Sequence, residues 1–93
     1  MAITNYCFVD PEPALTAGQF GILPDATRLS VYVRAHRLNA ETIERTRREL
    51  GADWVLIAGS ELVDHGPSYR MPDDADVRDV EARYNKPAFM FFD

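Results

Sequence analysis

Residues 27 to 58 carry boundary signals for a strand, a helix and a second strand, and this unit constrains the fold more than any other part of the chain. In TRLSVYVRAHRL, Leu29, Val31, Val33 and Ala35 alternate with Arg28, Ser30, Tyr32, Arg34 and His36, the period-two pattern of a half-buried strand over 28–37. In NAETIERTRRELG, Asn39 suits an N-cap, Glu41 suits the positive helix end, and Ile43, Thr46 and Leu50 form a narrow inward stripe. Gly51 supplies the stop, and Arg47 and Arg48 fall in the last turn, where cations interact well with the helix dipole. WVLIA does not alternate and is rich in strand formers, which predicts a central strand buried on both faces.

The rest of the chain supplies partners for this unit. Ile3 to Val9 reads as an additional N-terminal strand covered on both sides. The long loop 10–27 holds Pro11, Pro13, Gly18, Gly21 and Pro24, which leave room for a helical turn around Ala14 to Ala17 but for no long element. After Gly59 and Ser60, ELVDHGPSYRM returns as a short hairpin partner ending near Met71. Pro72 and Asp73 open a second helix with an inward stripe of Val77, Val80 and Tyr84; Asn85 and Pro87 end it, and AFMFF closes the chain as an apolar strand.

Residues 28 to 92 therefore give β-α-β-β-α-β, the order of a ferredoxin-like two-layer sandwich of the α+β class, with both helices on one face of an antiparallel sheet. If ELVDHGPSYRM is a loop, the alternative is a small α/β sheet with two helices and parallel neighbours. Ninety-three residues suffice for one compact domain spanning 1–93 and are too few for two. The apolar fraction of 46% is that of a chain able to fold without metal, cofactor or disulfide. Cys7, the single cysteine, reads as a buried thiol between Tyr6 and Phe8, so a reducing, cytoplasmic setting is the expectation. No run has signal-peptide character or bilayer-spanning length, so neither secretion nor membrane insertion is expected.

The net charge is -5, but its distribution is more informative. Residues 28–48 hold six arginines against two glutamates, whereas residues 49–93 hold ten acids against four bases. Two faces follow as candidate binding surfaces. On the basic side, Tyr32, Arg34, His36 and Arg37 combine a stacking ring with cations, and a nucleic-acid-binding strand face extended by Arg45, Arg47 and Arg48 is one reading of them. The net acidity opposes that reading through its long-range field, and a solvated strand face is the plainer explanation. On the acidic side, Asp73, Asp74, Asp76 and Asp79, continued by Glu81, form a helix face fit for a basic partner groove. Part of that run is ordinary helix N-terminal charge.

Catalytic signatures are thin. Asp64 and His65 adjoin beside Gly66, the only such imidazole and carboxylate pair, and a small enzyme using them is the alternative to a binding role. Neither Ser60 nor Ser68 sits in a nucleophile turn, and the two histidines lack metal-ligand spacing. In size, acidic balance and lack of a catalytic signature, the chain is similar to small phage or mobile-element proteins that inhibit a host machine, such as anti-CRISPR or anti-restriction proteins. That similarity is one of general character and carries no residue roles. The expectation is a non-enzymatic protein-interaction module, accessory or inhibitory, with a protein partner and a homodimer compatible with its sheet edges.

Overall fold

The computed structural model describes residues 6–92. In chain order these form a short helix α1 (Ala17–Gly21), a long helix α2 (Asp25–Leu50), strands β1 (Trp54–Ala58) and β2 (Glu61–Gly66), helix α3 (Asp74–Tyr84) and strand β3 (Ala88–Phe92). β1 lies in the middle of one sheet and runs antiparallel to both β2 and β3. The chain is thus a small α+β protein.

β1 is buried along its whole length, and its alternate residues belong to two different cores. Val55 and Ile57 pack with Phe89, Phe91 and Phe8 against Val31, Ala35 and Ile43 of α2. Trp54, Leu56 and Ala58 pack on the other face against Val80 and Val77 of α3. Neighbouring residues of a strand point to opposite faces, so α2 and α3 cover opposite sides of the sheet. Each large apolar side chain buried in this way stabilises the fold by roughly 1.5–3 kcal/mol. The hairpin turns at Gly59, which has φ of 62°, and a bulge at Val63 shifts the register between Leu56 and Ile57.

The strand expected over 28–37 is the N-terminal half of α2. Two periodicities overlap there, and the helical one is set by Val31, Ala35, Asn39, Ile43 and Thr46, which form the buried stripe. Leu29 and Val33, needed inward by a strand, are 62% and 43% exposed. Asn39 is not an N-cap but a buried mid-helix residue; α2 begins after Pro24 and ends at Gly51, whose φ of 63° and bonds to the Arg47 and Arg48 carbonyls form the expected stop. The β-α-β-β-α-β order is therefore not what the described residues form, and their helices do not share a face. Both strand pairings are antiparallel, which differs equally from the parallel-neighbour alternative.

Within the expected N-terminal strand, residues 3–5 lie outside the described residues, and 6–9 form no strand. This segment is instead clamped by Asn39, which accepts from Val9 N at 2.6 Å and donates through Nδ2 to Val9 O at 2.9 Å. The same Nδ2 donates to Ala35 O at 2.8 Å, so both donors and the oxygen of the buried amide are engaged. Phe8 turns inward and its N–H donates to Ser60 O, while Cys7 turns outward and is exposed, contrary to the expected buried thiol. Only one side of the segment is covered, which is why the alternation there exposes rather than buries the thiol. α1 starts at Ala17, later than the turn expected around Ala14, because Thr16 and Gln19 form a capping box. No helix is long and apolar enough to cross a membrane among the described residues.

Candidate functional site

The helical course of α2 separates the four residues expected on one basic face. Successive residues turn by about 100°, so Tyr32 and His36 share one flank and Arg34 and Arg37 another. The Tyr32 ring packs 5.0 Å from Phe91 and 5.9 Å from Phe89, and its hydroxyl donates to Met90 O at 3.1 Å. Burial pushes that hydroxyl above its ordinary pKa of 10.0. The His36 ring lies 5.5 Å from Phe91. Arg34 pairs with Glu12 at 2.7 Å, whereas Arg37 borders a shallow hollow with Leu29 and Val33. Arg28 pairs with Asp25, and Arg48 with Glu44 at 3.6 Å. The ring is engaged with the sheet, and three of the arginines on this helix have acidic partners.

The acidic residues of α3 are spread around the helix, with distinct tasks. Asp73 is the N-cap, accepting from Asp76 N, and Asp76 returns the bond to Asp73 N. Asp79 pairs with Arg83 at 3.3 Å, and the Arg83 guanidinium lies 6.0 Å from the Tyr84 ring. Asp74 is exposed in the first turn. Asp76 and Asp79 border a groove of about 380 Å³ between α3 and the sheet, where Trp54, Leu56, Val63 and Val80 supply apolar lining. Asp64 reaches the same groove from β2, and Arg70, Met71 and Pro72 close one end.

The loop 67–72 is held against this groove by a buried ring and by bonds to Asp53 and His65. Trp54 is 1% exposed, and its indole N–H is shared between Pro67 O at 2.8 Å and Arg70 O at 3.0 Å. Arg70 folds back with its guanidinium 5.7 Å from the Trp54 ring centre and donates to His65 O at 3.2 Å. Ser68 N donates to Asp53 at 2.7 Å. Gly66 makes the close approach possible, since a Cβ there would lie 2.9 Å from Trp54 Cζ2 and 2.6 Å from Arg70 Nη2. With the loop pinned at its base, Tyr69 stands 91% exposed at its tip, and Met71 and Tyr84 are exposed beside the groove.

Chain comparison adds no relative to this picture. The chain matches no family model, no curated protein and no solved structure.

Asp64 and His65 do not form an imidazole and carboxylate pair in this sheet. Asp64 lies opposite Leu56 and faces α3, while His65 lies opposite Val55, whose side chain faces α2. The Asp64 carboxylate instead accepts from the backbone N–H of His65 at 2.8 Å. Among the described residues, no three His, Cys, Asp or Glu side chains gather as metal ligands would. Tyr69, Met71, Arg70 and Arg83 were not among the residues singled out by sequence. The signal available for Tyr69, Arg70 and Met71 was PSYRMP, in which two prolines bracket an aromatic, a cation and a methionine.

Proposed function

We propose that this chain is a non-enzymatic protein-binding module, accessory or inhibitory in action, that grips its partner with the groove and the 67–72 loop. The observation carrying this reading is the exposure of Tyr69 at the tip of the pinned 67–72 loop and of Met71 and Tyr84 beside a groove whose open lining is mainly polar. Tyrosine, methionine and arginine are the residue types enriched in protein interfaces, and a tyrosine anchor loses little entropy when it is immobilised. The loop is pre-shaped by the Trp54 bonds, so little ordering cost remains to be met on binding. Asp64 and Asp76, beside the paired Asp79 and Arg83 and the single cation of Arg70, leave the groove with one more acid than base, a slight acidic bias that suits a partner presenting basic residues.

The test is affinity capture from the lysate of the source cell at low and moderate salt, with a nuclease-treated control. A stoichiometric protein that survives nuclease is expected, and Tyr69→Ala and Met71→Ala should each weaken its capture by about 30-fold, corresponding to ~2 kcal/mol. Melting temperatures should stay unchanged, because both side chains are exposed. Undiminished capture by both variants would refute the groove as the contact surface. Recovery that vanishes with nuclease would replace the partner class with nucleic acid.

A further inference from the structure

Among the described residues the sheet has three strands and so two edges, and both carry side chains bonded to outward backbone groups. In an antiparallel pair, alternate residues direct their N–H and C=O groups toward the neighbouring strand, and the others direct both outward. On β3 the side-chain bonds fall on Ala88 and Met90, two residues of the same parity. Glu81 Oε2 accepts from Ala88 N at 3.2 Å, and the Tyr32 hydroxyl donates to Met90 O at 3.1 Å. On β2 both bonds fall on His65: its N–H donates to Asp64 Oδ1, and its C=O accepts from Arg70 Nη2. The parities agree across the sheet. β1 residues opposite Ala88 and Met90 turn toward β2, so Val55 turns toward β3 and leaves its other partner, His65, facing outward.

The two edges differ in what would happen if the bonds were removed. β2 is also interrupted by its bulge and carries Glu61 and Asp64, features that discourage strand addition. β3 reads AFMFF, with no charge, no proline and no bulge, and Phe92 is 60% exposed at its end. Such a segment pairs readily with a copy of itself. A two-fold axis at Met90 would let two β3 strands meet antiparallel, each Met90 exchanging N–H and C=O bonds with the other and Ala88 facing Phe92 of the second copy. That exchange needs both backbone groups of Met90, and Tyr32 occupies one of them. Glu81 occupies one of the two that Ala88 would contribute.

We infer that Tyr32 and Glu81 guard the β3 edge, and that without them this edge pairs with β3 of a second copy of the chain. Tyr32 thus has a task on the sheet edge, and Glu81 one that its place in an acidic run conceals.

The experiment compares the wild type, Tyr32→Phe, the double variant Tyr32→Phe with Glu81→Ala, and the core variant Ile43→Val. Sedimentation velocity reads association, and amide exchange at Met90 reads its site. The wild-type Met90 amide should exchange freely, and the double variant should form a concentration-dependent dimer in which that amide slows by about tenfold or more. Tyr32→Phe keeps the ring in place and should show the same changes more weakly. A double variant that stays monomeric with a fast Met90 amide overturns the inference. So does a wild type whose Met90 amide is already protected, or an Ile43→Val variant that gains the same protection through general destabilisation.

Discussion

Gly66→Ala separates a pinned ring from a movable one and so tests how the groove is built. The added methyl would lie 2.6 Å from Arg70 Nη2 and 2.9 Å from Trp54 Cζ2. Arg70 is the flexible end of an exposed side chain and can swing away, at the cost of its contact with the Trp54 face, ~0.5–1 kcal/mol. Trp54 has no such escape, because it is buried and its N–H is shared between two carbonyls. Forcing it to shift is an overpacking event of about 1–3 kcal/mol. The expected loss is therefore roughly 1.5–4 kcal/mol, which in a chain of this size lowers Tm by roughly 6–30 °C. Trp54 is the single tryptophan, so urea unfolding followed by its fluorescence reads both the stability and the ring's surroundings. A red-shifted native emission should accompany the loss, together with weaker partner capture as the 67–72 loop is released. Gly18→Ala serves as the control, since no atom lies within 4 Å of the methyl it would add. A Gly66→Ala loss below about 0.5 kcal/mol, the scatter of ordinary surface changes, with unchanged emission would refute the reasoning.

Two further outcomes follow from the cores. Asn39→Ala removes both bonds that hold Val9, whose backbone groups can return to water, so the net cost should be about 2 kcal/mol, with faster amide exchange at Phe8 as its signature; slow Phe8 exchange in the variant would show that the N-terminal segment is held by other means. Burial raises the Tyr32 pKa above 10.0, so the unfolded chain ionises first and this residue's contribution, complete below pH 10.0, is lost as pH rises beyond it. Tyr32→Phe should flatten that alkaline decline, while the Tyr6 hydroxyl, raised chiefly by its bond to Glu49, still contributes to it; an unchanged slope in chemical denaturation between neutral pH and pH 11 would contradict it.

Much of the sheet was legible along the chain because its signals are local. WVLIA is apolar on both faces, Gly59 turns the hairpin with positive φ, and Asp73 caps α3 at the position its sequence indicates. The first half of α2 was not legible, because Leu29, Val31, Val33 and Ala35 satisfy a strand period while the helical stripe passes through polar Asn39 and Thr46. Asn39 reads as a cap until the segment it clamps, some thirty residues earlier, is known. Thr46 is satisfied within the helix by donating to Thr42 O. The acidic run over α3 was readable from the sequence, but not that Asp76 and Asp79 are the members of it that border the groove. The groove was not, since β1, β2, the 67–72 loop and α3 each supply part of it and only the folded sheet brings them together. The edge bonds of Tyr32 and Glu81 are likewise non-local, spanning α2 and α3 to one strand.

The most direct measurement places a photoreactive benzoylphenylalanine at position 69 in one variant and at exposed position 41 of α2 in another, and irradiates each in the source cell. Crosslinking of one protein from position 69, with none from position 41, is the expected result for a partner seated on the 67–72 loop. Crosslinking of that protein from position 41 and not from position 69 would contradict it and move the contact surface to the outer face of α2.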